Sequence, residues 1–188
     1  MSSPDEILPQ QRLRVMQIIA TALLLGVVIF LAIVLFLVLV QNNGAGMAPA
    51  GNVPMLSIVA VVLLIVQAPL ALLFPAFLTR NALRQIASGA WRSPAGTDSA
   101  NFGTDASKLL AARQTMMIIG LALLEGAALF GCIAYLLEAQ PYTLAVVLVA
   151  LLLMLVNFPT AERVRTWLER QIDQLAELRQ RGDVVGEP

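Results

Sequence analysis

The sequence predicts an all-α, polytopic membrane protein: four transmembrane helices arranged as two related helical hairpins, plus a C-terminal cytoplasmic amphipathic helix. Three observations carry this reading. Of 188 residues, 59% are apolar and only 13% are charged, where a soluble domain carries about 25% charged residues. No Lys, Arg, Asp or Glu occurs between Arg14 and Arg80. Finally, every basic residue falls in only three segments of the chain, and two apolar runs lie between each successive pair of these segments.

The runs follow in order. "VMQIIATALLLGVVIFLAIVLFLVLV" (Val15–Val40) and "MLSIVAVVLLIVQAPLALLFPAFL" (Met55–Leu78) fill the uncharged stretch. "TMMIIGLALLEGAALFGCIAYLL" (Thr115–Leu137) and "YTLAVVLVALLLMLVNF" (Tyr142–Phe158) follow. A helix rises 1.5 Å per residue, so about 20 residues cross roughly 30 Å of hydrocarbon. The first three runs reach that length; the fourth is short, although the pattern beyond it stays helical. The first run is too long for a signal-peptide core and lacks a small-residue cleavage site, so it is expected to act as an uncleaved anchor.

Orientation follows from the basic residues. Arg12 and Arg14 precede helix 1; Arg80, Arg84, Arg92, Lys108 and Arg113 lie between helices 2 and 3; Arg163, Arg165, Arg170, Arg179 and Arg181 follow helix 4. The other two connections, "QNNGAGMAPAGNVP" and "EAQP", have none. The positive-inside rule then makes both termini cytoplasmic, in the inner (plasma) membrane. The expected divisions are a cytoplasmic tail over 1–14, a first hairpin over 15–78, a cytoplasmic linker over 79–114, a second hairpin over 115–158, and an amphipathic helix with tail over 159–188.

The two hairpins look like copies. Aligning "MQIIATALLLGVVIFLAI" (16–33) with "MMIIGLALLEGAALFGCI" (116–133) gives nine identities in eighteen positions, including Gly26 with Gly126 and Phe30 with Phe130. "FPAFLTRNALRQI" (74–86) and "FPTAERVRTWLERQI" (158–172) both run from Phe-Pro into a basic amphipathic stretch. A parallel repeat of one helical hairpin accounts for both echoes. One position breaks the match: Glu125 aligns with Leu25.

Between the hairpins, the linker passes through "SGAWRSPAGTDSANFGTDAS", whose two Gly-Thr-Asp triplets read as flexible connection, with Asp105 or Ser107 capping the helix that leads into helix 3. After helix 4, Val164, Leu168, Ile172, Leu175 and Leu178 recur every three or four residues with Trp167 beside them, and Arg and Glu take the other face. Such a helix suits either the cytoplasmic membrane surface or a partner helix.

Several chemistries are excluded. Cys132 is alone, so no disulfide framework exists. With no His, the common zinc sites and the Ser-His and Cys-His nucleophile pairs are absent. Net charge is zero and acids interleave with the basic residues, so no nucleic-acid footprint is present. Neither enzymatic activity nor a cofactor is expected; the expected partners are the lipid bilayer and other membrane subunits, like or unlike.

The chemically distinctive residue is Glu125, eleventh of the 23 residues from Thr115 to Leu137 and so near the bilayer midplane. An ionised carboxylate there costs at least about 2.5–3.5 kcal/mol. The protonated form escapes that cost and can donate a hydrogen bond. Gln67, near the middle of helix 2, is the expected partner, with Asn157 too close to the cytoplasmic edge. Small residues surround the glutamate, and the pairs Ala122/Gly126 and Ala127/Gly131 permit close helix approach. Glu125 is therefore expected to face another helix.

The segment "ALLEGAALFGCI" (122–133) resembles the carboxylate-bearing helix of the proteolipid c subunits of rotary ATPases. Glu125 is followed by the small residues Gly126 and Ala128, then by the pair Leu129–Phe130 and by Gly131. The resemblance covers one helix, and this chain departs from the family in lacking a Gly-x-Gly-x-Gly run on helix 2 and in its long linker. It implies that Glu125 is a proton-binding carboxyl in an oligomeric, proton- or ion-coupled subunit. Small multidrug antiporters also carry a membrane glutamate, but in their first helix. Two alternatives stand beside these: Glu125 as protonated packing glue, and a structural or assembly protein that recruits a cytoplasmic partner through its last helix.

Overall fold

The computed structural model describes residues 4–41, 43, 53–89, 91 and 105–185, and no strand occurs among them. Five helices follow one another: α1 (Pro4–Phe36), α2 (Met55–Ala87), α3 (Asp105–Glu138), α4 (Pro141–Val156) and α5 (Ala161–Val185). Helix α1 closes in a π-helical turn over Leu37–Gln41. Three helical stretches, Leu13–Val40, Met55–Ala87 and Asp105–Glu138, are long and apolar enough to cross a membrane. A fourth is reached if Pro141–Val156 and Ala161–Gln180 form one broken span. The chain is thus a membrane protein by the length and composition of its helices.

The helices overrun the apolar runs. Helix α1 starts at Pro4, inside the expected tail; proline suits the first helical position because its missing N–H would bond nothing there. Helix α2 continues to Ala87 and α3 begins at Asp105, so both helices extend into the expected linker. The first Gly-Thr-Asp triplet and the first two residues of the second lie outside the described residues.

Two prolines behave differently. Pro75 lies inside α2, where it removes the N–H that would bond the Ala71 carbonyl. That carbonyl faces α3 at a glycine, for a Cβ on Gly120 would stand 3.3 Å from the Ala71 oxygen. Thr79 Oγ1 donates to the Pro75 carbonyl at 2.7 Å one turn later. Pro159, by contrast, falls in the break between α4 and α5. Asn157 caps α4: its backbone N–H and its Nδ2 both donate to the Leu153 carbonyl, at 3.0 and 2.8 Å. Ahead of the other Phe-Pro pair stands Leu73, which has no side-chain donor with which to stop a helix.

The chain forms two compact units. One comprises residues 19–73 and 118–158. Its centre is α3, which buries Leu121, Leu124, Ala127, Ala128, Cys132 and Ala134. Ala60, Ala134 and Val146 form a core cluster joined by Leu56, Val61, Leu64 and Phe130. In α1 the buried residues Ala20, Val27 and Val34 recur at seven-residue intervals, whereas Leu25, Val28, Ile29 and Ile33 are exposed, as suits a helix with one face to lipid.

The other unit comprises residues 1–18, 74–117 and 159–188. Leu83 and Ile86 of α2, Leu109 of α3 and Leu175 of α5 make its core, with Ala87, Trp91, Trp167 and Leu168 packed against it. The Gln17 amide donates to the Pro159 carbonyl at 3.2 Å.

Candidate functional site

Helix α3 carries two glutamates, and their surroundings differ sharply. Glu125 sits halfway along the apolar run on the α1-facing side. A Cβ on Gly26 would stand 3.8 Å from Glu125 Oε1, so the carboxyl lies against the glycine of α1 that aligns with Gly126. Among the described residues no hydrogen bond or ion pair engages it. The expected pairing with Gln67 is not made: Gln67 Oε1 is buried and bonds nothing. The carboxyl is turned to α1, where an absent side chain leaves room, while Gln67 sits on α2.

The residues that follow and precede Glu125 on α3 divide into two sets. Ala128 is fully buried, Phe130 packs against the Ala60–Ala134–Val146 cluster, and Gly131 is buried against α4. A Cβ on Gly131 would stand 2.9 Å from Val147 Cγ2 and 3.5 Å from Val146 Cγ1, so this glycine permits the α3–α4 approach. Ala122 and Gly126 are instead exposed, and a Cβ on Gly126 would meet nothing within 4 Å. One small-xxx-small pair packs inside the chain and the other is left open beside the glutamate.

Glu138, the last residue of α3, escaped the sequence reading. Its carboxylate accepts the Leu56 N–H at 2.9 Å, the Ser57 N–H at 2.8 Å and the Ser57 hydroxyl. It thus satisfies unbonded donors in the first turn of α2 and places negative charge at a helix N-terminus. A visible signal existed, since Glu138 is the only acid in its connection and Ser57 is the only hydroxyl near the start of helix 2. The two stand 81 residues apart, however, and local patterns cannot pair them.

The helix expected to meet a membrane surface or a partner has most of its apolar face occupied within the chain. Val164 and Leu175 are buried, and Trp167 and Leu168 pack on the core shared with α2 and α3. Ile172 remains 42% exposed and Leu178 37%. The Arg113 guanidinium stacks over the Trp167 ring at 4.6 Å, and Arg179 pairs with Asp105 at 2.7 Å.

Among the described residues, no three Cys, Asp or Glu side chains gather as a metal centre would require. No protein family, curated protein or solved structure matches the chain.

Proposed function

We propose that the chain is an oligomeric subunit of the inner membrane, built from two related hairpins with both termini cytoplasmic, and that Glu125 is its protonatable midmembrane carboxyl. One observation carries this reading: Glu138 is tied by three donors, whereas Glu125 on the same helix is engaged by none among the described residues. A carboxyl serving as packing glue would spend its hydrogen-bonding capacity on a neighbouring helix of its own chain. This one keeps it, and the open Ala122–Gly126 face beside it suits the close approach of a helix from another subunit. The resemblance to proteolipid c subunits gives the same role to Glu125. Protonated, it is neutral in hydrocarbon; deprotonated at an aqueous path, it hands on one proton or accepts a cation.

A hydrophobic carbodiimide, to which a protonated carboxyl adds from the lipid phase by giving its proton to nitrogen and its oxygen to the central carbon, tests the reading in membranes. Modification at Glu125 that declines as pH rises, and that disappears in Glu125→Gln, supports it. No modification at any pH overturns it. The alternative, an assembly protein acting through its last helix, has Ile172 and Leu178 as its exposed apolar contacts. It predicts that deleting Val164–Leu178 releases a bound protein while Glu125→Gln changes nothing.

A further inference from the structure

We propose that Arg113 of α3 and Arg170 of α5, beside Trp167 of α5, form a binding site for the phosphate of an anionic lipid headgroup. Arg113 lies two residues before Thr115, where the apolar run begins, and therefore at headgroup depth. Its guanidinium is partly buried and uses one flat face on Trp167. That contact leaves the in-plane N–H donors without a hydrogen bond among the described residues, and they are not among the buried unpaired polar atoms, so an outside acceptor can reach them.

Among the described residues no acceptor serves them. The ion pairs made by the described residues join Asp105 to Lys108 and Arg179, and Glu169 to Arg165. None includes Arg113 or Arg170. Arg170 gives its Nε–H to the Thr166 carbonyl at 3.1 Å, which leaves its terminal nitrogens. The buried acceptor on the same helix, Gln171 Oε1, bonds nothing. Arg170 follows Trp167 by three residues on α5 and so shares its side of the helix, where the Arg113 guanidinium is stacked and the two like charges repel.

Two neighbouring guanidiniums, with no carboxylate paired to either among the described residues, call for an anion that accepts from both. A tetrahedral phosphate does this in the bidentate geometry arginine favours. Position selects the source: a site at the rim of the bilayer, with tryptophan beside it, meets lipid phosphates before soluble ones. Arg165 supplies an internal control, because it is exposed and already paired with Glu169 at 3.0 Å.

The test follows thermal unfolding of the full chain in detergent while phosphatidylglycerol, phosphatidylcholine or inorganic phosphate is titrated in. Phosphatidylglycerol is expected to stabilise at lower concentration than either of the others. Arg113→Gln and Arg170→Gln should each weaken that response about tenfold, the order expected for loss of one charge-assisted hydrogen bond. Arg165→Gln should leave it unchanged. If Arg113→Gln does not fold, Arg170→Gln, on the exposed side of α5, carries the same expectation. An equal response to phosphatidylcholine, an equal response to inorganic phosphate, or an equal loss in Arg165→Gln would each overturn the assignment.

Discussion

Gly131→Ala probes the tightest helix contact in the unit around α3. The new Cβ would stand 2.9 Å from Val147 Cγ2 and 3.5 Å from Val146 Cγ1, whereas carbon atoms rest at about 3.5–4.0 Å. Val147 is fully buried, so its methyl can yield only against other side chains. Overpacking of this kind costs about 1–3 kcal/mol. The better helix propensity of alanine returns about 1 kcal/mol. The net effect is a loss of about 1 kcal/mol, or roughly 2–4 °C in unfolding temperature for a chain of this size. Gly126→Ala is the matched control: same helix and same substitution, but nothing within 4 Å. It should gain up to about 1 kcal/mol. Thermal unfolding of monomeric protein in detergent reads both, and shortening the clashing side chain by Val147→Ala should remove most of the Gly131→Ala penalty. Equal shifts for Gly131→Ala and Gly126→Ala would refute the α3–α4 packing described here.

Three further outcomes are expected from the same assay. Glu138→Ala leaves the Leu56 and Ser57 donors without their acceptor and should cost about 1–3 kcal/mol, with Glu138→Gln costing less because its carbonyl oxygen still accepts. Ala139 holds φ of 50° while its N–H closes α3 on the Tyr135 carbonyl at 2.8 Å; Ala139→Gly should stabilise by up to about 1–2 kcal/mol, since glycine takes that left-handed conformation freely. Leu175→Ala should cost about 2–5 kcal/mol, because Leu175 is 2% exposed, while Ile172→Ala, at 42% exposed, should be close to neutral.

What the sequence revealed and what it hid divide along physical lines. Hydrophobic length is a local, additive property, so the long apolar runs could be read directly as helices, and the three-to-four spacing of Val164, Leu168 and Leu175 marked the face that α5 buries. Residues 4–14, 79–87 and 105–114 are helical beyond those runs, because helix propensity continues where hydrophobicity stops. The two small-residue pairs of α3 have the same pattern in sequence, and only three-dimensional packing separates Ala127/Gly131, closed by α4, from Ala122/Gly126, left open. The two Phe-Pro pairs look alike for the same reason; Asn157 in place of Leu73 decides that one ends a helix. Glu138 and Ser57, like Arg113 and Trp167, are long-range pairs that no local periodicity encodes. Glu125 was visible at once as a charge-bearing residue in an apolar run, but its neighbour on α1 was not, because glycine announces a gap and not a contact.

Proton exchange at Glu125 within the bilayer, as proposed above, is open to one direct measurement. Infrared spectroscopy of the protein in lipid most directly tests it, through the carbonyl stretch of a protonated carboxyl assigned by its absence in Glu125→Gln. If Glu125 exchanges its proton, this band rises and falls reversibly with the pH of the aqueous phase, and hydrogen–deuterium exchange shifts it. A Glu125 band that stays constant across the whole pH range and does not exchange would contradict it, and would make the residue a fixed neutral element of helix packing.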